Sequence, residues 1–298
     1  MSSIQSRQAE PEAIAVQKAA AVLHRRAQSI EAVRIFIAVV LAALGLVATR
    51  AHSFESIAAI LGFAWTPILA GFATPLLRRQ LRRAAELQEI FDTRVFGLSW
   101  NEGLVGDRAA NADIHRLGRK LRPNSKRMQH ILGGWYDDTT GIPYPLDVLA
   151  CQEQNLGWDL RLRSRYRNLI GLALIAWFFL GIALGFAQDA SLDQILLGWY
   201  APSLPAFTVG IEILTSQAEL ISEKRRLLTL IPKIAVGAQQ GTAITTQAQL
   251  LRSARDLQDG IFGSRMITPR VPHLIYRLFR NHDERHFEAQ VAAWQAKP

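Results

Sequence analysis

The stretch from Arg161 to Gln188, RLRSRYRNLIGLALIAWFFLGIALGFAQ, decides the fold class. Arginines occupy the alternate positions 161, 163, 165 and 167, and from Leu169 to Ala187 there is no charge. An α-helix rises about 1.5 Å per residue, so an uncharged run of about 19 residues can cross a hydrocarbon core of about 30 Å. Trp177, Phe178 and Phe179 sit in mid-run, where a soluble helix would present a polar face. The rival reading is a helix buried in a large soluble core. Length without charge favours a membrane span with a basic collar.

Working outward, three further uncharged segments appear. Ile35–Thr49 is short, but Arg34 and Arg50 flank it and can snorkel to the interfaces. Ser56–Leu77 follows after a short polar link, with Pro67 and Pro75 as expected kinks and Gly62 and Gly71 as expected points of close helix approach. After the opening stretch, a second link, Gln188–Asp193, leads into Gln194–Leu214. This fourth segment carries Trp199, Tyr200, Pro202 and Pro205, and admits Glu212 near its end, read as snorkelling to the interface in preference to facing a polar cavity. The expected fold is all-α: an integral membrane protein with four transmembrane helices in two hairpins and a mainly helical cytosolic domain. Its expected segments are an N-terminal helix over 1–34, a first hairpin over 35–77, an insert over 78–167, a second hairpin over 168–214, and a helical C-terminal region over 215–298 that packs with the insert.

Composition agrees. The chain of 298 residues is 49% hydrophobic and 20% charged, with a net charge of +9. That is too polar for a protein made only of spans, and the basicity suits an anionic partner such as lipid, nucleic acid or a phosphorylated small molecule. Cys151 is the single cysteine, so neither an intrachain disulfide nor a Cys-based zinc cage can form. The first 34 residues are too long, and with Glu10, Glu12 and Glu31 too acidic, for a signal-peptide leader. Of the 34 lysines and arginines, the two short links hold only Arg50. The positive-inside rule therefore puts both termini and the insert in the cytoplasm.

Outside the spans the sequence reads as helices. Breaker-free runs extend from Ala13 into the first span and from Arg78 to Phe96, and a helix is expected over Asp107–Leu121. GGWYDDTTGIPYP is a loop by its Gly, Pro, Asp and Thr content. From about Pro145 a helix is expected to run through the collar into the opening stretch. On it Gln152, Asn155, Asp159, Arg163 and Tyr166 share one face. Further helices are expected up to Pro232, over Gln247–Asp259, and beyond Pro269.

The chemistry-bearing patterns are sparse. His282 and His286 have the i, i+4 spacing of an HExxH zinc site, but Asp283 stands in place of the glutamate and no third ligand is evident. Arg280-Asn281 with His286 loosely resembles the Arg-polar-x-His motif of HEPN ribonucleases, which leaves a membrane-tethered ribonuclease as an alternative. No Walker loop, GxSxG elbow or GxGxxG motif occurs. The basic patch Arg116, Arg119, Lys120, Arg122, Lys126 and Arg127 fits phosphate, nucleic acid or a lipid surface equally. Trp100, Trp135, Tyr136, Trp158 and Tyr166 lie near charge, as rings that stack on bases do, or they fill a small helical core.

Local strings carry a resemblance. ELQEIFDTRVFGLSWN over Glu86–Asn101, Trp135-Tyr136-Asp137, Cys151–Asn155 with Trp158-Asp159, and Gln258–Phe262 with Arg265, Pro272, Tyr276 and Arg280 look like the SMODS-associated four-transmembrane effector family. The resemblance implies a bacterial anti-phage role in cyclic-oligonucleotide signalling (CBASS). In that role a partner nucleotidyltransferase makes a cyclic oligonucleotide, and the effector damages the inner membrane, causing death or growth arrest. The implied partners are the lipid bilayer, the cyclic oligonucleotide and, because no hydrophilic pore is visible in the spans, further copies of the chain; DNA is not among them. It implies no enzyme activity, catalytic residue, metal or cofactor. The polar and aromatic members of these strings, Arg94, Trp100, Asn101, Tyr136, Asp137, Asn155, Trp158, Asp159 and Arg265, are the expected ligand pocket. A passive membrane scaffold is the remaining alternative.

Overall fold

The computed structural model describes residues 3–48, 55–157, 160–239, 247–272 and 294. Among them every regular element is helical and there is no strand. In order, α1 is Ile4–Gln8, α2 Pro11–Ala48, α3 Glu55–Ile68, α4 Thr74–Phe96, α5 Glu102–Val105 and α6 Asn111–Gly118. There follow α7 Lys126–Leu132, α8 Leu146–Gly157, α9 Leu160–Ala187, α10 Leu192–Ile195, α11 Ala201–Gln239 and α12 Gln247–Arg265. Single π turns at Leu69–Ala73 and Leu196–Tyr200 join α3 to α4 and α10 to α11. The chain divides into two compact units, one formed by Met1–Arg26, Gln80–Arg163 and Leu220–Pro298, the other by Ala27–Arg79 and Ser164–Glu219. The helices α2, α4, α9 and α11 each contribute residues to both.

The first unit is a helical bundle built on seven-residue spacing. On α2, Ala13, Val16, Ala20 and Leu23 are all buried, and on α12 so are Leu250, Ala254, Leu257 and Ile261. Steps of three and four residues keep these side chains on one stripe, which packs with Leu87, Phe91 and Val95 of α4, Leu149 and Leu156 of α8, and Leu227 and Ile231 of α11. Pro232, expected to end a helix, lies inside α11 on its exposed side, where a missing N–H bond is tolerated. The helix expected over Asp107–Leu121 starts only at Asn111, after Ala110.

The second unit turns apolar side chains outward. Phe36, Val39, Phe63, Phe72, Leu172, Phe179 and Phe186 are all exposed, a pattern that suits lipid and not water. Among the described residues three helical stretches are long and apolar enough to cross a membrane, within 11–45, 56–96 and 146–187. The segment expected as a fourth span, Gln194–Leu214, is helical but less apolar, and its packing explains why. Trp199 and Ser203 are fully buried, Trp199 stacks on Trp177 at 4.5 Å, and Trp177 donates to the Ser203 hydroxyl at 3.0 Å. Polar atoms partnered inside the unit do not face lipid, so this helix needs less hydropathy than its neighbours.

Close approach in this unit depends on Gly62 and Gly181: a Cβ at either would collide with the Ala201 carbonyl and the Trp199 indole respectively. Gly71, expected in the same role, lies exposed in the π turn Leu69–Ala73 and faces open space. Glu212 does not snorkel alone. It pairs with Arg34, which is 3% exposed and also bonds Glu31 at 2.8 Å, while Thr74 lies 3.4 Å from the Glu212 carboxylate. The first link, at 50–54, and the expected junction of α8 with α9, at Trp158 and Asp159, lie outside the described residues.

Candidate functional site

Two helices of the first unit set the site by their spacing. On α4, Glu89 and Asp92 are one turn apart and almost fully buried; on α12, Arg255, Gln258 and Asp259 share a face, with Arg265 near the end of the helix. Gln258 donates to Glu89 and to Asp92, each at 2.8 Å. Arg255 bonds Glu89 at 2.5 Å, Asp259 at 2.6 Å and the Ser99 carbonyl at 2.9 Å. Arg265 bonds Asp92 at 2.6 Å. From the loop before α8, the Tyr136 hydroxyl donates to Asp92 at 2.7 Å, and Asn155 donates to that hydroxyl at 3.2 Å. Gln152 closes the set by donating to the Ala254 carbonyl at 2.7 Å and to Gln258 at 3.2 Å. Burial, then the Asp92 charge, pushes the Tyr136 phenol well above its ordinary pKa, so it remains a donor.

The family-like strings thus supply one connected polar network, with each buried carboxylate held by an arginine and Gln258. Of the expected pocket, Tyr136, Asn155 and Arg265 belong to it, and Asn101 joins at its edge by donating to Asp259 at 2.8 Å while capping α5. Three others lie apart. Arg94 is exposed and pairs with Glu10 at 2.9 Å and Glu12 at 2.5 Å. Trp100 donates to the Gly106 carbonyl at 2.9 Å, with the Arg108 guanidinium 4.9 Å from its ring. Asp137 has an exposed side chain, and its backbone carbonyl accepts from Gln5 at 2.5 Å. Partial burial raises the Asp137 carboxyl above its usual value. Trp158 and Asp159 are outside the described residues, as are Arg280, His282 and His286.

Beside the network, a cleft opens between α2, α4 and α7. Asp92 forms part of its wall, with Gln17 from α2, Gln88 and Phe91 from α4, Arg127 from α7, and Trp135 and Arg270 from irregular segments. It is narrow, with room inside for about one water molecule. Arg127 and Arg270 each place a guanidinium carbon 5.4 Å from the centre of the Trp135 ring, and His130 meets the ring edge-on at 5.9 Å. Burial lowers the pKa of Arg127; burial, then Arg127 and Arg270, lowers that of His130. The cleft therefore sets two half-buried arginines beside an aromatic ring.

In sequence Arg127 belongs to a basic patch and Trp135 and Gln88 to matched strings, and nothing local joins them to Gln17 and Arg270, which lie far apart in the chain. Among the described residues no group of three His, Cys, Asp or Glu side chains is placed to hold a metal.

Fold and site together define an all-α membrane protein with a polar-networked helical bundle. The family model for the SMODS-associating 4TM effector domain matches residues 2–294, nearly the whole chain. The protein belongs to that family, as the strings indicated. A relative from Bacillus cereus (strain VD146), described as a probable CBASS effector molecule, is 24% identical over 205 residues, covering 68% of this chain. The match spans 66% of that relative, just under two thirds of its length. No solved structure matches the chain.

Proposed function

We propose that the protein is an anti-phage effector whose helical bundle senses a cyclic oligonucleotide in the cytoplasm and whose apolar helices then permeabilise the inner membrane, causing death or growth arrest. Membership of the effector family supports the defence role, and the relative's description as a probable CBASS effector agrees with it. The observation that carries the sensing part is the placement of strings from three distant parts of the chain around one buried network, flanked by a cationic, aromatic cleft. A ligand acts by binding one arrangement of a bundle better than another. Because α2, α4, α9 and α11 have residues in both units, a change in bundle packing has a covalent route into the apolar helices. The distribution of Lys and Arg supports a cytoplasmic bundle.

The test is dye release from proteoliposomes containing the purified full chain. Release on adding at least one member of a panel of cyclic di- and trinucleotides is expected. Intact vesicles with every member, at protein densities that allow assembly, would overturn the proposal.

A further inference from the structure

Given the permeabilising role proposed above, on which this rests, we infer that Arg34, Glu31 and Glu212 form a separable lock inside the apolar unit. It holds α2 against α11 and keeps the membrane sealed until a ligand reaches the bundle.

Placement is the first observation. All three residues, together with Thr74 of α4, fall within the apolar unit. Arg34 is 3% exposed, whereas Val33 and Phe36 beside it on α2, and Ile211 beside Glu212 on α11, are exposed. The apolar neighbours face outward while the guanidinium is enclosed, as an ionised group in lipid must be. A buried ion pair is a poor means of gaining stability, because desolvation offsets most of the attraction and apolar side chains of similar volume hold two helices as well. Its better use is to favour one arrangement over another.

The bonding pattern gives the direction of the switch. Arg34 engages its two carboxylates with different nitrogens: Nη1 donates to Glu31 at 2.8 Å, and Nη2 donates to Glu212. Glu31 lies three residues before Arg34 on the same helix and travels with it, whereas Glu212 belongs to α11. When α2 and α11 part, Arg34 therefore keeps Glu31. Glu212, whose side chain is 32% exposed, has solvent within reach and the Thr74 hydroxyl at 3.4 Å. Neither charge is stranded, so opening costs the Arg34–Glu212 bond alone and not an unpaired buried ion. The two carboxylates thus act in opposite senses on one guanidinium. Glu212 stabilises the closed arrangement, and Glu31 lowers the cost of leaving it. A group that served only to hold the fold together would respond alike to the loss of either.

The test uses the full chain in proteoliposomes, with dye release followed over a concentration range of the cyclic di- and trinucleotide panel. Glu212→Gln is expected to release dye without nucleotide, or to lower the concentration for half-release by about tenfold or more. Glu31→Gln is expected to raise that concentration by about tenfold. If thermal melting in detergent shows a glutamine variant unfolded, Glu212→Asp or Glu31→Asp takes its place; each keeps the charge, withdraws it by one methylene and should give a shift of the same sign. Shifts of one sign at both positions, or no shift at either one, while nucleotide releases dye from wild type, would overturn the lock and leave the permeabilising role standing. Intact vesicles with wild type but leakage with Glu212→Gln would support the lock and remove the nucleotide as its key. Vesicles that stay intact with wild type and with every variant would overturn both.

Discussion

Asp92 is where the interior of the bundle is decided, because one buried carboxylate receives Arg265, Gln258 and the Tyr136 hydroxyl and also borders the cleft. Burying that charge is tolerable only with its partners present, so each should be costly to remove. Arg265→Gln is expected to destabilise the bundle by about 3–5 kcal/mol, the usual cost of stranding a buried charge. Tyr136→Phe, which deprives Asp92 of a donor and Asn155 of an acceptor, is expected to cost about 1–3 kcal/mol. Denaturant unfolding of the purified variants measures both; values near zero would show that the network is incidental.

At the scale of elements, what the sequence made legible was periodic or local. The breaker-free run from Ala13 announces α2, and the Gly-Pro-Asp run marks the loop that carries Tyr136. The uncharged runs locate apolar helices because charge is excluded from lipid wherever in the fold it falls. What the sequence concealed depends on partners distant in the chain. Gly71 lies in a π turn and faces open space, and its residue type announces neither. The position of Glu212 relative to the apolar run was visible, but its partner Arg34 lies far off in sequence. Among the expected pocket residues, Arg94 serves an ion pair with the distant Glu10 and Glu12 and Trp100 a local turn, which a matched string does not distinguish from a network role. Two predictions belong to this scale. Gly181→Val should drive a side chain into Trp199 and cost about 1–3 kcal/mol of stability, measured by thermal unfolding in detergent. Glu212→Gln, which leaves Arg34 with Glu31 alone, should loosen the second unit and lower its resistance to proteolysis in vesicles, whereas unchanged protection would show that this pair carries little.

For the whole molecule, the central proposition is that ligand binding by the helical bundle controls the permeability of the membrane. It joins a family assignment that covers nearly the whole chain to a buried network assembled from distant parts of it. A ligand shifts such a system only as far as its preference for one arrangement allows, so binding and permeation must respond together. The most direct measurement is dye release and nucleotide binding on the same proteoliposomes, across a range of cyclic oligonucleotide concentrations. Both should rise over the same range. Binding with the vesicles intact, or release over a range where nothing is bound, would contradict the account.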